Sequence, residues 1–111
     1  MSGRLELWLF VAQRASAMVL APLVLIHLGT MIYAIQGGLS AAEILGRTQG
    51  SGLWATIYGL FVAAAAVHAA IGLRTVLAEM APAIGGLKNL FAAALFLIVV
   101  WFGFNAVGAV V

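Results

Sequence analysis

His27 and His68 are the only histidines in the 111-residue chain, and each lies within an otherwise apolar stretch. A neutral imidazole is a common metal ligand and one of the standard axial ligands of haem iron. Because an imidazole in a bilayer core is costly without a partner, a histidine there predicts a functional site. A hydrogen bond between helices is the simpler role for the same side chain. We take both residues as candidate ligands of haem iron.

Other polar residues share a helix face with His27. At about 100° per residue, Ser16 lies about 20° from the direction of His27 and Gln13 about 40° from it, whereas Arg14 points away. Pro22 lies between Ser16 and His27 and removes one backbone hydrogen bond, which predicts a kink. One face of this predicted helix therefore carries a polar start and a deep imidazole.

The positions one helical turn away from His68 are mostly small. They are Ala64, Ala65, Ile71 and Gly72. Such positions form a shallow trough that a flat macrocycle or another helix could enter, and the sequence leaves both options open. Farther along the same segment, Arg74 could pair with a haem propionate or extend to the membrane interface.

The axial rise of a helix places the two histidines at different depths. His27 lies thirteen residues beyond Arg14, or about 20 Å, and His68 lies six residues before Arg74, or about 9 Å. If both arginines mark one interface, the heights of the histidines differ by about 10 Å. One haem could not easily take both as axial ligands. The spacing therefore favours two haems, each with a second histidine from elsewhere.

The composition places these residues in a membrane. The chain is 66% hydrophobic and 7% charged, which leaves too little polar surface for a soluble globule of this length. It contains no cysteine, which excludes thiolate metal sites and cysteine nucleophiles. The five basic residues form no patch of the kind that binds nucleic acid. The predicted fold class is an all-α integral membrane protein.

A single transmembrane domain over residues 1–111 is predicted. Backbone polar groups must be satisfied internally in hydrocarbon, so spanning segments of about 20 apolar residues should be helices. Three segments have that length, at roughly 7–35, 53–77 and 87–110. In the first connection, Ser40-Ala-Ala-Glu43 has the spacing of a capping box. It predicts a short interfacial helix near 40–46 that stops at Gly46.

The basic residues predict the orientation. Four of the five lie at the N-terminus or towards the second connection, namely Arg4, Arg14, Arg74 and Lys88. Only Arg47 lies in the first connection, so the N-terminus is expected to be cytoplasmic and the C-terminus outside. The first helix is expected to be retained, because Gln13 and Arg14 interrupt the apolar run too early for a signal peptide.

Two stretches resemble a known family, the membrane-anchor cytochrome b subunits of succinate dehydrogenases and fumarate reductases. QRASAMVLAPLVLIH, residues 13–27, is similar to the family's Gln/His-x-x-Ser-Gly motif and the deep haem-ligating histidine that follows it. HAAIGLRTVLAE, residues 68–79, is similar to the family's His-x-x-x-Gly-x-Arg pattern, in which the histidine is a haem ligand. Ala17 stands where the family often has glycine.

The resemblance implies a haem b-binding, electron-transferring anchor. It implies that His68 binds the haem nearer the cytoplasm and His27 an outer haem. It also implies that Gln13, Arg14 and Ser16 lie near the quinone site or haem propionates. Dihaem relatives with all four histidines in one chain have five helices, so this chain would form half of a haem-binding helical bundle. A second anchor subunit, or else a second copy of this chain, would supply the missing ligands.

The resemblance also implies the partners and the location. A flavoprotein subunit with covalent FAD and an iron-sulfur subunit would dock on the cytoplasmic face of a cell inner membrane. Electrons would pass between them and a quinone through the haems.

Two other functions stay open. A small dimeric membrane transporter would need an intramembrane carboxylate, and Glu6, Glu43 and Glu79 all lie at or beyond the predicted helix ends. In a haem-free structural anchor, both histidines would be packing residues.

Overall fold

Four helices account for most of the chain in the computed structural model, which describes residues 3–111. They are α1 (Gly3–Gly37), α2 (Ala41–Thr48), α3 (Gly52–Met80) and α4 (Leu87–Val110), and a 3-10 turn, Pro82–Ile84, precedes α4. The long helices α1, α3 and α4 are each long and apolar enough to cross a membrane. The predicted all-α membrane fold is confirmed. The first two residues of the predicted domain lie outside the described residues.

The long helices extend past the spans predicted from hydropathy. α1 begins at Gly3 instead of near residue 7, and α3 continues to Met80 instead of residue 77. Hydropathy marks only the part of a helix that suits hydrocarbon, whereas the backbone stays helical until a residue stops it. For α3 that residue is Pro82, which follows directly on the non-helical Ala81.

The short helix α2 begins at its predicted cap and ends later than predicted. The hydroxyl of Ser40 accepts a hydrogen bond from the backbone N–H of Glu43 at 3.2 Å. The expectation that Gly46 stops the helix is wrong, since α2 continues to Thr48. The Thr48 hydroxyl reaches a carbonyl of the preceding turn and the Val110 carbonyl. These contacts hold the extra residues helical and tie α2 to the end of α4.

α3 is the central helix of the bundle. Both α1 and α4 pack against it, while α1 and α4 make few contacts with each other. Small residues bring α3 and α4 close together, as Ala66 and Ala92 are buried and a Cβ at Gly103 would lie 2.5 Å from Val62 Cγ1. Close approach through small residues is the common way in which helices associate in lipid.

One stripe of α1 faces α3. Ser16 and Leu23 are the buried residues of α1, and His27 is half-buried on the same stripe. Most large apolar side chains elsewhere on α1 are exposed, which suits contact with lipid or with another membrane helix. The candidate residues therefore lie along the contact between α1 and α3, which we call the α1–α3 seam. Its two ends are the N-terminal end, at the start of α1, and the α2 end.

Candidate functional site

His68 meets Ser16 across the α1–α3 seam. Its Nδ1 lies 3.2 Å from Ser16 Oγ, which also donates a hydrogen bond to the Gln13 carbonyl at 2.9 Å. Ser16 is only 6% exposed and His68 is half-buried. The structure thus places Ser16 against His68, whereas His27, on the same face of α1, lies about 16 Å farther along the helix.

Gln13 lies opposite Gly72, one turn from Ser16. Its Nε2 would be 3.6 Å from a Cβ at Gly72, so it covers that end of the predicted trough of small residues. Its Oε1 is buried, and no hydrogen-bond partner for it is found within residues 3–111. Because an unpaired buried acceptor is costly, this amide oxygen requires a hydrogen-bond donor, either from water or from a bound molecule.

Arg14 stays on the exposed side of the seam. Its guanidinium carbon lies 5.2 Å from the centroid of the Phe10 ring, a cation–π contact within one helix. Arg14 and Gln13 nevertheless line the same groove between α1 and α3, with a volume of about 430 Å³. A molecule in that groove would contact both side chains.

Arg74 belongs to a polar cluster that joins three helices at the N-terminal end. Its guanidinium forms an ion pair with Glu6 of α1 at 2.8 Å, and its Nε donates to Asn89 Oδ1 of α4 at 2.7 Å. Arg74 is only 8% exposed, and its guanidinium is directed at these two partners within the bundle and not at solvent. The two acceptors turn the guanidinium inwards, because a buried cation requires partners.

His27 lies among aromatic rings towards the α2 end. Its ring centroid is 4.9 Å from that of Phe61 and 6.3 Å from that of Tyr58. Two adjoining cavities of about 360 and 610 Å³ reach it. Unlike the ring of His68, this ring makes no side-chain hydrogen bond to another described residue.

The two imidazoles are well separated along the bundle. Phe61, which packs on His27, lies seven residues from His68, and Ser16, which contacts His68, lies eleven residues from His27. At 1.5 Å per residue, these intervals are about 10 and 16 Å. Imidazole–metal bonds are about 2 Å long, so one iron could not bind both rings. This geometry agrees with the separation estimated from the sequence.

Little in the sequence indicates the other contacts of these candidate residues. Within residues 3–111, no group of three or more metal-ligating side chains lies together. The partners of Arg74, which are Glu6 and Asn89, were missed because they are distant in the chain. The only available signal was the arginine itself, since a cation inside an apolar segment requires acceptors.

A comparison with protein families identifies this chain's family. The family described as succinate dehydrogenase/fumarate reductase transmembrane subunit matches residues 1–109, a range that includes both histidines and nearly all of the three long helices. No curated protein and no solved structure matches the chain.

Proposed function

The chain belongs to the succinate dehydrogenase/fumarate reductase transmembrane subunits, and from that premise we propose that it is a haem b-binding, electron-transferring membrane anchor. The observation that carries the proposal is the α1–α3 seam, where His27 and His68 lie at two depths of an apolar bundle. An ionisable residue inside a membrane is a functional hypothesis by default. Two such residues along one helix contact strengthen it.

The surroundings of both imidazoles suit a haem. Histidine is a standard axial ligand of haem iron, and each ring lies between apolar helices that suit the body of the macrocycle. At His68, Ser16 supports one side of the ring. At His27, the rings of Phe61 and Tyr58 flank the imidazole, and cavities lead to it.

A bound haem b would supply one-electron oxidation and reduction at its iron. His27 and His68 would each hold one haem through a ring nitrogen, and a second anchor subunit would provide the second ligand of each iron. This chain would thereby form half of a haem-binding bundle. With two nitrogen ligands for each iron, His27 and His68 would support electron transfer and no substrate chemistry.

Gln13 and Arg14 are proposed to face a quinone or a haem propionate. They line one groove at the N-terminal end, and the buried Gln13 Oε1 calls for a hydrogen-bond donor there. Arg74 is a weaker candidate for binding a propionate, because Glu6 and Asn89 engage three of its five N–H groups. Its main contribution is to hold the helices that carry the histidines.

The partners and orientation follow from the same proposal. Membership of the family implies a complex with other subunits, and we propose that these are a second anchor subunit, an iron-sulfur subunit and a flavoprotein subunit with FAD. Most of the basic residues cluster at the N-terminal end of the bundle. By the positive-inside rule that end is cytoplasmic, and the soluble subunits would dock there.

A haem-free structural anchor is the second candidate function. The hydrogen bond between Ser16 and His68 favours it, because polar side chains link helices in lipid without any cofactor. The small dimeric transporter has less support. It would need an intramembrane carboxylate, whereas Glu6 lies in the first turn of α1 and is already paired with Arg74.

The visible difference spectrum of the purified complex, reduced minus oxidised, tests the proposal. We expect a b-type haem band, and we expect His68→Ala to remove the haem bound there. Asn105→Ala is the control, because Asn105 is exposed and its amide donates only to its own helix. A wild-type complex without a b-type band would exclude the haem function and leave the structural anchor.

A further inference from the structure

We infer that Ser16 is the positioning residue of the His68 imidazole, holding the ring as the tautomer with its proton on Nδ1 and leaving Nε2 free to bind a metal. The inference rests on the proposed haem function and deepens it. The resemblance to the family implies a place near a quinone or propionate for Ser16, whereas the geometry points to the imidazole itself.

The argument begins with the single proton of the Ser16 hydroxyl. A serine hydroxyl can donate one hydrogen bond and accept two. Ser16 Oγ lies 2.9 Å from the Gln13 carbonyl oxygen, which can only accept, so the hydroxyl proton points there. If the proton pointed to His68 instead, two oxygen lone pairs would face each other at 2.9 Å, which is repulsive.

The orientation of that proton determines the tautomer of His68. Towards the imidazole, Ser16 presents a lone pair, and His68 Nδ1 lies 3.2 Å away. Nδ1 must therefore be the donor. In a neutral imidazole the other nitrogen then carries the lone pair, so Nε2 is the nitrogen available to iron.

Burial makes this hydrogen bond effective. Ser16 is only 6% exposed, so water does not compete for the contact with Nδ1. Histidines that bind metals usually donate their other ring N–H to an acceptor, which fixes the ring orientation and raises its basicity. The hydroxyl of Ser16 is such an acceptor. A more basic imidazole stabilises oxidised iron, so the contact should lower the reduction potential of the haem.

Ser16→Ala and Ser16→Thr in the purified complex test the inference. The alanine variant loses the acceptor, so we expect a higher midpoint potential for the haem at His68 and an altered low-spin ferric electron paramagnetic resonance signal. The threonine variant keeps a hydroxyl and should restore both values. Thr56→Ala is the matched control, because Thr56 is exposed on the same helix as His68 and bonds only to the Gly52 carbonyl. Wild-type values in Ser16→Ala, or no rescue by threonine, would overturn the role of Ser16.

A measurement on the wild-type sequence covers the case in which Ser16→Ala fails to assemble. In the full chain labelled with ¹⁵N-histidine, before haem is added, the ring shifts of His68 should show protonated Nδ1 and unprotonated Nε2. His27→Phe assigns the signals. The opposite pattern would overturn the inference while leaving the haem proposal intact. A missing b-type band in the wild-type complex would instead overturn the proposed function, whatever the tautomer.

Discussion

The two ends of the α1–α3 seam hold their histidines in different ways. At the N-terminal end, side chains bond to one another across helices, as Ser16 does to His68. Towards the α2 end, His27 packs on the ring of Phe61. Polar side chains there, such as that of Thr48, donate hydrogen bonds to backbone carbonyls instead of to other side chains. The ring of His68 is thus oriented by a hydrogen bond, whereas the ring of His27 is held by packing alone.

This difference indicates which histidine ring the chain can orient by itself and which ring needs a partner to orient it. A hydrogen bond between two buried side chains fixes the rotation of a ring, whereas contact between rings leaves it several orientations. The cavities next to His27 give it room to turn. We therefore expect the chain to orient His68 by itself and a second molecule to complete the orientation of His27.

Replacing each histidine in turn with phenylalanine should have the largest effect. His68→Phe should abolish the haem at that site and lower the free energy of unfolding by about 1–3 kcal/mol, because Ser16 loses a buried partner. His27→Phe should abolish only the other haem, since a phenyl ring can replace the imidazole against Phe61. Haem content per complex and thermal unfolding measure both effects. Equal losses of stability in the two variants would contradict the comparison.

Gly103→Ala tests whether shape controls the α2 end. The added Cβ would lie 2.5 Å from Val62 Cγ1, so the Val62 side chain or α4 must shift and stability should fall by about 1–3 kcal/mol. Gly103 and His27 line one cavity, so the spectrum of the haem at His27 should change while that at His68 stays constant. Gly108→Ala is the matched control, since its added Cβ meets no atom within 4 Å. A shift at the His68 haem alone would refute this assignment.

Asn89→Ala tests the polar cluster at the N-terminal end. Arg74 Nε loses an acceptor at 2.7 Å, but the ion pair with Glu6 remains. We expect a loss of about 1–2 kcal/mol in thermal or denaturant unfolding, and no change in the spectrum of the haem at His27. Asn105→Ala, exposed on the same helix, should be neutral. If both variants behave alike, Asn89 does not stabilise the buried arginine.

Thr48→Val should give the smallest effect of the four. It keeps the size of the side chain but removes the hydroxyl that reaches the Val110 carbonyl. The expected loss is about 0.5–1.5 kcal/mol, with greater proteolysis of the α2 connection as the local readout. Thr56→Val is the matched control, because the exposed Thr56 bonds only within its own helix. Identical digestion of both variants would show that Thr48 does not hold α2 in place.

The helices and the depth of the histidines could be predicted from local rules. Hydropathy finds spans that must be helical in lipid, which is why the fold class is confirmed. A fixed rise per residue, together with the assumption that Arg14 and Arg74 mark one interface, gives the separation of His27 from His68. No knowledge of the contacts between helices is needed for either prediction.

The contacts across helices could not be predicted in the same way. Helical-face arithmetic gives the direction of Ser16 on α1, but not that α3 places His68 opposite it. Arg74 is turned inwards by Glu6, which lies 68 residues away. The register and the crossing angle of two packed helices determine which residues pair, and a hydrophobic pattern contains no information about either.

The central position of α3 also determines the order in which the helices of the newly synthesised chain can associate. α1 is translated first, yet its packing partner is α3, and it hardly touches α4. Transmembrane helices insert singly and associate afterwards, so α1 enters the bilayer before the helix that contacts its Ser16 and His27. Neither histidine is enclosed until α3 has left the ribosome. Under the proposed function, haem would be loaded at His27 and His68 only after α3 has been inserted.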